Sequence, residues 1–290
     1  MELFLQQILT GIANGSIYAC LALAIVMIYK AIDHFNFAQG EMAMFSTYGC
    51  WTLISIGVPY WVAFFVTIIL SFIVGVFIER VVLCPLRNAS ALSHIIVFIG
   101  LLSIFNSLAG VIWGHTIKTF PSPFPDGSFR GLIGLHEVGM FFVTMIMLAG
   151  IYCFFRFTRV GMAMKAAAAN PVSAGLVGIR VGWMFALGWG FSASIGAVAG
   201  MMIAPIVFLD PNMMLGILLY GFASAVVGGI NNPGGAVMGG FLVGIVENLA
   251  GTYIPAIGSE LKLTVALALI VSVLLFKPSG LFGKPVVTRV

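Results

Sequence analysis

The polar groups that could do chemistry in this chain are few, and they sit among long apolar runs. Two stretches stand out. The first is Asp33-His34-Phe35-Asn36-Phe37-Ala38-Gln39-Gly40-Glu41, at the junction of the first two apolar runs. It carries more polar groups than a plain turn needs, and Gly40 permits a break. Non-helical backbone at membrane depth must line a cavity or be buried in protein. The second is Glu247-Asn248, inside another apolar run. A charge at the centre of a bilayer costs about 2.5–3.5 kcal/mol on the insertion scale. Glu247 must therefore face the protein interior, be protonated or find a donor. Both stretches are candidates for contact with a transported solute, against the competing reading of hydrogen bonding between helices.

Enzyme chemistry fits poorly. His34, His94, His115 and His136 form neither HxxxH nor HExxH, and none stands at ligand spacing from a cysteine. A serine hydrolase built on Ser192 or Ser194 would need an embedded base, and no histidine follows His136. Gly280-Leu281-Phe282-Gly283-Lys284-Pro285 lacks the GxxxxGK[ST] spacing of a phosphate-binding loop. If ATP drives this protein, another subunit supplies the nucleotide site. Cys20, Cys50, Cys84 and Cys153 show no paired spacing and read as small packing residues.

A third feature is basic. Thr158–Met184 is rich in small residues, and Arg156, Arg159, Lys165 and Arg180 bring four positive charges and no negative one. Gly161–Ala169 reads as a short helix, because Ala and Met favour helix. Asn170-Pro171 stops it and starts a second, with Asn as N-cap and Pro at the first position. Gly175 or Gly178 can end that helix. Two short helices on a basic loop between spans suggest a docking surface on the cytoplasmic side; an ordinary connector is the alternative.

These features need a membrane-embedded scaffold. The chain has 290 residues, of which 61% are hydrophobic and 8% charged. A soluble domain has about 45–50% apolar and about 25% charged residues. The composition predicts an all-α polytopic membrane protein. The runs are continuous rather than alternating, which argues against a β-barrel. Candidate spans are 4–29, 37–57, 60–79, 92–113, 138–157, 183–207, 214–230, 235–252 and 261–277, giving about 8–9 transmembrane helices. The second and the last three are short or rich in Gly and polar residues, so they can be broken or re-entrant. The start, MELFLQQ, lacks the positive region of a cleaved signal, so the first run is expected to be a retained span.

With nine spans and a cytoplasmic C-terminus, the inner side holds Lys30, Arg80, Arg87, Arg156, Arg159, Lys165, Arg180, Lys277, Lys284 and Arg289. The outer side holds Lys118, Arg130 and Lys262. Ten against three favours this orientation. It places 158–182 inside and the Pro-rich loop 114–137 outside, either as a contact for an external partner or as a connector. Pairs such as Gly11/Gly15, Gly110/Gly114, Gly196/Gly200, Gly235/Gly239 and Gly240/Gly244 predict close helix packing. Gly228–Gly235 must form a tight, irregular turn between two spans.

Several of these motifs together resemble the LivH/LivM-type permeases of ABC importers, the branched-chain amino acid uptake family. Gly11-Ile12-Ala13-Asn14-Gly15-Ser16-Ile17-Tyr18-Ala19 resembles the family's GxxxGxxYA opening, and Asn36-Phe37-Ala38-Gln39-Gly40-Glu41 its NFAHGE motif. Thr158, Gly161, Met164, Lys165, Ala166, Ala168, Asn170, Pro171, Ala174, Leu176, Gly178 and Ile179 follow its cytoplasmic loop. Val227–Gly240 resembles its glycine-rich stretch, Glu247 its GxxE, and Lys277–Gly283 its RPxGLFG ending. Gln39 replaces the usual His, Lys165 and Lys277 replace Arg, and Asn170 replaces Asp.

The resemblance implies a single transmembrane permease domain over 1–290 in the bacterial inner membrane. It implies a second, related permease, two cytoplasmic ATPases carrying ATP and magnesium, and an external solute-binding protein. No cofactor is expected in this chain. The solute is expected to be a branched-chain or other amino acid, with an amide, urea or small aromatic acid as variants. The segment 158–182 becomes a pair of coupling helices, with Gly161, Met164, Lys165, Ala166, Asn170, Pro171, Ala174 and Gly178 as the coupling residues. Asn14, Asn36, Gln39, Glu41, Glu247 and Asn248 are the candidate solute-pathway residues. The competing class is a stand-alone secondary transporter or channel, which more often shows paired intramembrane charges.

Overall fold

The structure is a computed structural model that describes residues 2–32, 35–87, 89–129, 131–258 and 261–283. Expectations about Asp33, His34, Arg130, Lys284, Pro285 and Arg289 fall outside the described residues. Helix α1 covers Glu2–Ile32, α2 Gln39–Ser55, and α3 Tyr60–Ile78. A π-helical turn, Glu79–Leu83, and a 3-10 turn, Cys84–Leu86, follow. Next come α4 (Ala91–Trp113), a two-residue hairpin pairing Ser128–Phe129 with Ile133–Gly134, and α5 (Leu135–Phe157). The chain continues with α6 (Arg159–Ala169), α7 (Pro171–Leu176), α8 (Val181–Val207), α9 (Met214–Gly228), α10 (Pro233–Tyr253) and α11 (Lys262–Phe276). Each expected span thus coincides with a helix. Six of these helices are long and apolar enough to cross a membrane, and α9 and α11 are shorter apolar helices.

Two compact units are present. One comprises Met1–Val26, Ser122–Met145 and Leu215–Val290; the other comprises Met27–Pro121 and Ile146–Met214. In lipid, large apolar side chains gain nothing by leaving the surface, so small and polar residues make the interfaces. In the second unit α3 follows that rule. It buries Ala63, Thr67, Ser71 and Gly75, four residues apart, and exposes Phe65, Ile69, Ile73 and Phe77. A Cβ on Gly75 would lie 2.6 Å from the Trp189 carbonyl of α8, so only glycine permits the approach. Ser194 donates to the Ile68 carbonyl (3.1 Å) across the same contact.

In the first unit the glycine pairs meet one another. A Cβ on Gly11 would lie 2.9 Å from the Gly244 carbonyl, and one on Gly15 3.0 Å from the Gly240 carbonyl. The two GxxxG motifs of α1 and α10 therefore face each other. The turn Gly228–Gly235 is as tight as expected, with Gly229 at φ +112°. The chain after α11 folds back onto it. Leu281 N–H donates to the Val227 carbonyl (2.8 Å), Phe282 N–H to the Gly228 carbonyl (3.1 Å), and Asn232 Nδ2 to the Phe282 carbonyl (2.9 Å).

Two details differ from the sequence reading. Gly40 does not break a helix; it lies in the first turn of α2, and the break falls just before Gln39. Cys20 and Cys50 are buried, but Cys84 is half-buried and Cys153 is exposed on α5, so the latter two do not fill a core.

Candidate functional site

The break before α2 is built by its own polar residues. Asn36 is buried; its Oδ1 accepts from Ala38 N–H (3.0 Å), and its carbonyl accepts from Gln39 N–H (3.3 Å). Gln39, also buried, commits both amide atoms to α8. Its Nε2 donates to the Ser192 carbonyl (3.0 Å), and its Oε1 accepts from Ser192 Oγ (3.0 Å). Ser192 lies near the middle of α8, so α2 starts at mid-depth of that helix. Its 17 residues span about 25 Å, short of the roughly 30 Å hydrocarbon core.

Glu41, 2% exposed, looks the other way. Asn106 of α4 places its Nδ2 3.4 Å from Glu41 Oε2, 2.9 Å from the Pro211 carbonyl and 3.2 Å from Asn212 Oδ1. The segment between α8 and α9 thereby reaches the start of α2. Its path is fixed by Leu209, whose N–H and carbonyl pair with Lys118 (both 2.9 Å), and by Asp210, which accepts from Asn212 N–H. Phe208 begins this segment with φ +64°, a left-handed value rarely tolerated outside glycine. The sequence reading missed Asn106 and Asp210. Asn106 is an amide inside an otherwise apolar span, which is the signal that could have marked it.

In the first unit, Glu247 is 4% exposed and finds donors. Tyr18 Oη donates to its Oε2 (3.0 Å), and Tyr220, stacked on Tyr18 with centroids 4.7 Å apart, supplies a second hydroxyl. Asn248 is fully engaged. Its Nδ2 donates to the Gln7 carbonyl (2.9 Å) and Oε1 (2.7 Å), while Lys262 Nζ donates to its Oδ1 (3.1 Å). These two residues tie α1, α10 and α11 together. Asn14 is half-buried on α1.

The segment 158–182 has the expected form of two short helices. Thr158 Oγ1 caps α6 by accepting from Gly161 N–H (2.9 Å), and Asn170 Oδ1 caps α7 by accepting from Ser173 N–H (2.9 Å). Pro171 takes the first position of α7, and Gly178, at φ +85°, turns the chain after it. The nominated residues divide into two sets. Gly161, Met164 and Ala174 are buried and seat the helices. At Gly161 a Cβ would lie 2.7 Å from Phe155 Cα. Lys165, Ala166, Asn170, Pro171 and Gly178 are exposed, together with Val172 (75%), Leu176 (85%) and Val177 (76%). The segment leads directly into α8. There, buried Glu79 pairs with Arg87 and Arg80, Arg80 lies 4.0 Å over the Trp183 ring, and Arg87 lies 5.5 Å over Phe185.

Long apolar helices with polar breaks, and interfaces of small residues, define a multi-pass membrane protein. Residues 7–274 match the family described as branched-chain amino acid transport system / permease component. The chain belongs to that family, and it is a permease subunit of an ABC importer. It is 31% identical to LivH, a high-affinity branched-chain amino acid transport system permease protein of Salmonella typhimurium, over 99% of this chain and 98% of that protein. BraD of Pseudomonas aeruginosa, of the same description, is 30% identical over the same shares. A probable LivH of Methanocaldococcus jannaschii is 29% identical over 96% of this chain and 92% of its own length. Among solved structures, PsaBC from Streptococcus pneumoniae covers 96% of this chain and 91% of its own at 12% identity and a TM-score of 0.48, too distant to carry an argument.

Proposed function

We propose that this chain is one of two related permease subunits of an importer for branched-chain or similar small amino acids. It acts as a single transmembrane permease domain in the bacterial inner membrane, with its C-terminus in the cytoplasm. Two cytoplasmic ATPases, holding ATP and magnesium, dock on 158–182, and an external solute-binding protein delivers the solute. The observation that carries this reading is the family match over 7–274, together with relatives described as amino-acid permeases over their full length.

The exposed face of α6 and α7 supports the docking role. Val172, Leu176 and Val177 are apolar, exposed and flanked by Arg159, Lys165 and Arg180. Basic residues of this density belong on the cytoplasmic side, outside the hydrocarbon. Apolar side chains there gain by burial against a protein partner, each contributing about 1.5–3 kcal/mol if fully buried. The cluster of buried Glu79 with half-buried Arg80 and exposed Arg87 supports a route by which movement at the coupling helices reaches α3 and α8. Such coupling requires the ATPases to bind two permease states with different free energies.

The test is uptake of labelled leucine, valine and isoleucine into vesicles containing this chain, its partner permease, the ATPases and the binding protein. Uptake that needs both ATP inside the ATPase compartment and the binding protein is expected. Uptake by this chain alone, driven by an ion gradient, would overturn the proposal.

A further inference from the structure

The loop after α8 and the start of α2 bring two carboxylates into one neighbourhood. Glu41 is almost fully buried and Asp210 is half-buried. Asn106 Nδ2 links Glu41 Oε2 (3.4 Å) to Asn212 Oδ1 (3.2 Å), and Asp210 accepts from Asn212 N–H, so the loop acid stands by the buried one; Tyr48 lies two helical turns beyond Glu41 on the same face of α2. Among the described residues, no Lys or Arg forms a salt bridge with either carboxylate; the ion pairs found are those of Glu79. Tyr48 is completely buried, and its hydroxyl has no hydrogen-bond partner among the described residues. A buried hydroxyl without a partner costs roughly 1–3 kcal/mol, so it calls for an explanation. Beside these groups stands an aromatic wall. Tyr48 stacks on Trp113 at 4.9 Å, and Phe45 meets the Trp113 edge at 5.2 Å.

We propose that Glu41, Asp210, Tyr48 and Asn106 form a site for the ammonium group of the solute during transit. The inference rests on the amino-acid reading above. A lone ammonium has three donors and one positive charge. Two carboxylates supply the charge, the free Tyr48 hydroxyl accepts a further hydrogen bond, and Asn106 holds Glu41, the Pro211 carbonyl and the Asn212 side chain in register. The wall of Phe45, Tyr48 and Trp113 offers aromatic faces to the cation and apolar contact to an aliphatic side chain. Asp210 and exposed Asn212 form the outer edge of the cluster, with Glu41 and Tyr48 buried beneath, so a solute entering past the loop meets Asp210 first.

The experiment uses the complete importer in vesicles, with labelled leucine as the probe and Glu41→Gln, Glu41→Asp, Asp210→Asn and Tyr48→Phe as variants. Loss of one hydrogen bond to a charge corresponds to about a tenfold or greater effect. Leucine uptake in Glu41→Gln and Asp210→Asn is expected to fall at least about that far, with a raised KM. Glu41→Asp recovers most of the loss, Tyr48→Phe loses a few-fold, and assembly with the ATPases and ATP hydrolysis are retained. Leucine uptake at the unmodified level in both Asp210→Asn and Tyr48→Phe would overturn the site. Loss of assembly in step with uptake in every variant would also overturn it, making the cluster structural. A sodium requirement for leucine uptake that the variants shift would reassign the acids to an inorganic cation. An unmodified importer that carries urea or a neutral amide but no amino acid would instead overturn the amino-acid reading, and this inference with it.

Discussion

Replacing Gly244 by Ala adds one methyl group where α1 and α10 lie backbone to backbone. The new Cβ would lie 2.5 Å from the Gly11 carbonyl oxygen and 2.5 Å from Gly15 Cα, whereas ordinary contact begins at 3.4 Å. Both obstacles are backbone, so no side chain can turn away, and α1 must retreat by about 1 Å. A gap of that size forfeits about a quarter to a half of the dispersion energy of each pair it opens. Overpacking of this kind costs about 1–3 kcal/mol. The reference is Gly100→Ala in α4, where a Cβ meets nothing within 4 Å and helix propensity favours Ala by about 1 kcal/mol. The assay is the thermal midpoint of the purified permease in one detergent, with leucine uptake by the assembled importer alongside. Gly244→Ala should melt below the unmodified protein and Gly100→Ala at or above it. Equal midpoints for the two variants, or a Gly244→Ala protein more stable than Gly100→Ala, would refute the facing-glycine interface.

Other substitutions probe the remaining contacts. Gln39→Ala removes the clamp between α2 and α8 and leaves Ser192 with less to bond; a loss of about 1–3 kcal/mol is expected in the same melting assay. Glu247→Gln keeps an acceptor for Tyr18 and Tyr220 and should express normally, while Glu247→Leu orphans both hydroxyls and should lower expression and uptake together. Normal expression with lost uptake in Glu247→Leu would mark a direct role in transport instead. Lys165→Glu reverses a charge on the exposed face of α6, where Lys165 Nζ lies 6.0 Å over the Phe155 ring; ATPase co-purification and ATP-dependent uptake should fall far more than the melting midpoint.

The helices were legible because each apolar run is long and bounded by polar or turn residues, and lipid demands helix wherever backbone is exposed to it. The two short helices of 158–182 were legible for a different reason. Asn170, Pro171 and Gly178 are local signals whose partners lie within a few residues, so no tertiary information was needed; the Thr158 cap, equally local, was missed. Polar partnerships across the bundle were not legible. Glu247 announces that it needs a donor, but nothing in the chain says that Tyr18, 229 residues away, provides it. Likewise Gln39 and Glu41 stand two residues apart, about 200° around the helix, and the sequence does not say which neighbour each faces, Ser192 on one side and Asn106 on the other. Only the rotation of α2 decides that, and α2 is set by the fit of Ala43 and Thr47 against Gly196 and Gly200.

The same geometry explains why the chain contains helices too short to span. A solute with a charged group needs polar partners at membrane depth, and a continuous helix offers none from its backbone. A helix that begins at depth exposes its first N–H groups and the polar residues that cap it. Here α2 begins at the level of Ser192, and α9 begins two residues after Asn212. Asn106 touches both beginnings, reaching Glu41 in one and Pro211 and Asn212 in the other. Each break alone would be an expense in lipid. Joined through one amide, they satisfy much of each other's polarity and leave two carboxylates without a salt-bridged cation among the described residues, beside a free hydroxyl and an aromatic wall. Acids that hold helices together here have strong donors, Glu79 two arginines and Glu247 the Tyr18 hydroxyl, whereas among the described residues Glu41 has the Asn106 amide at 3.4 Å and neither it nor Asp210 has a salt-bridging cation. Their want of such a partner is what an incoming ammonium would supply.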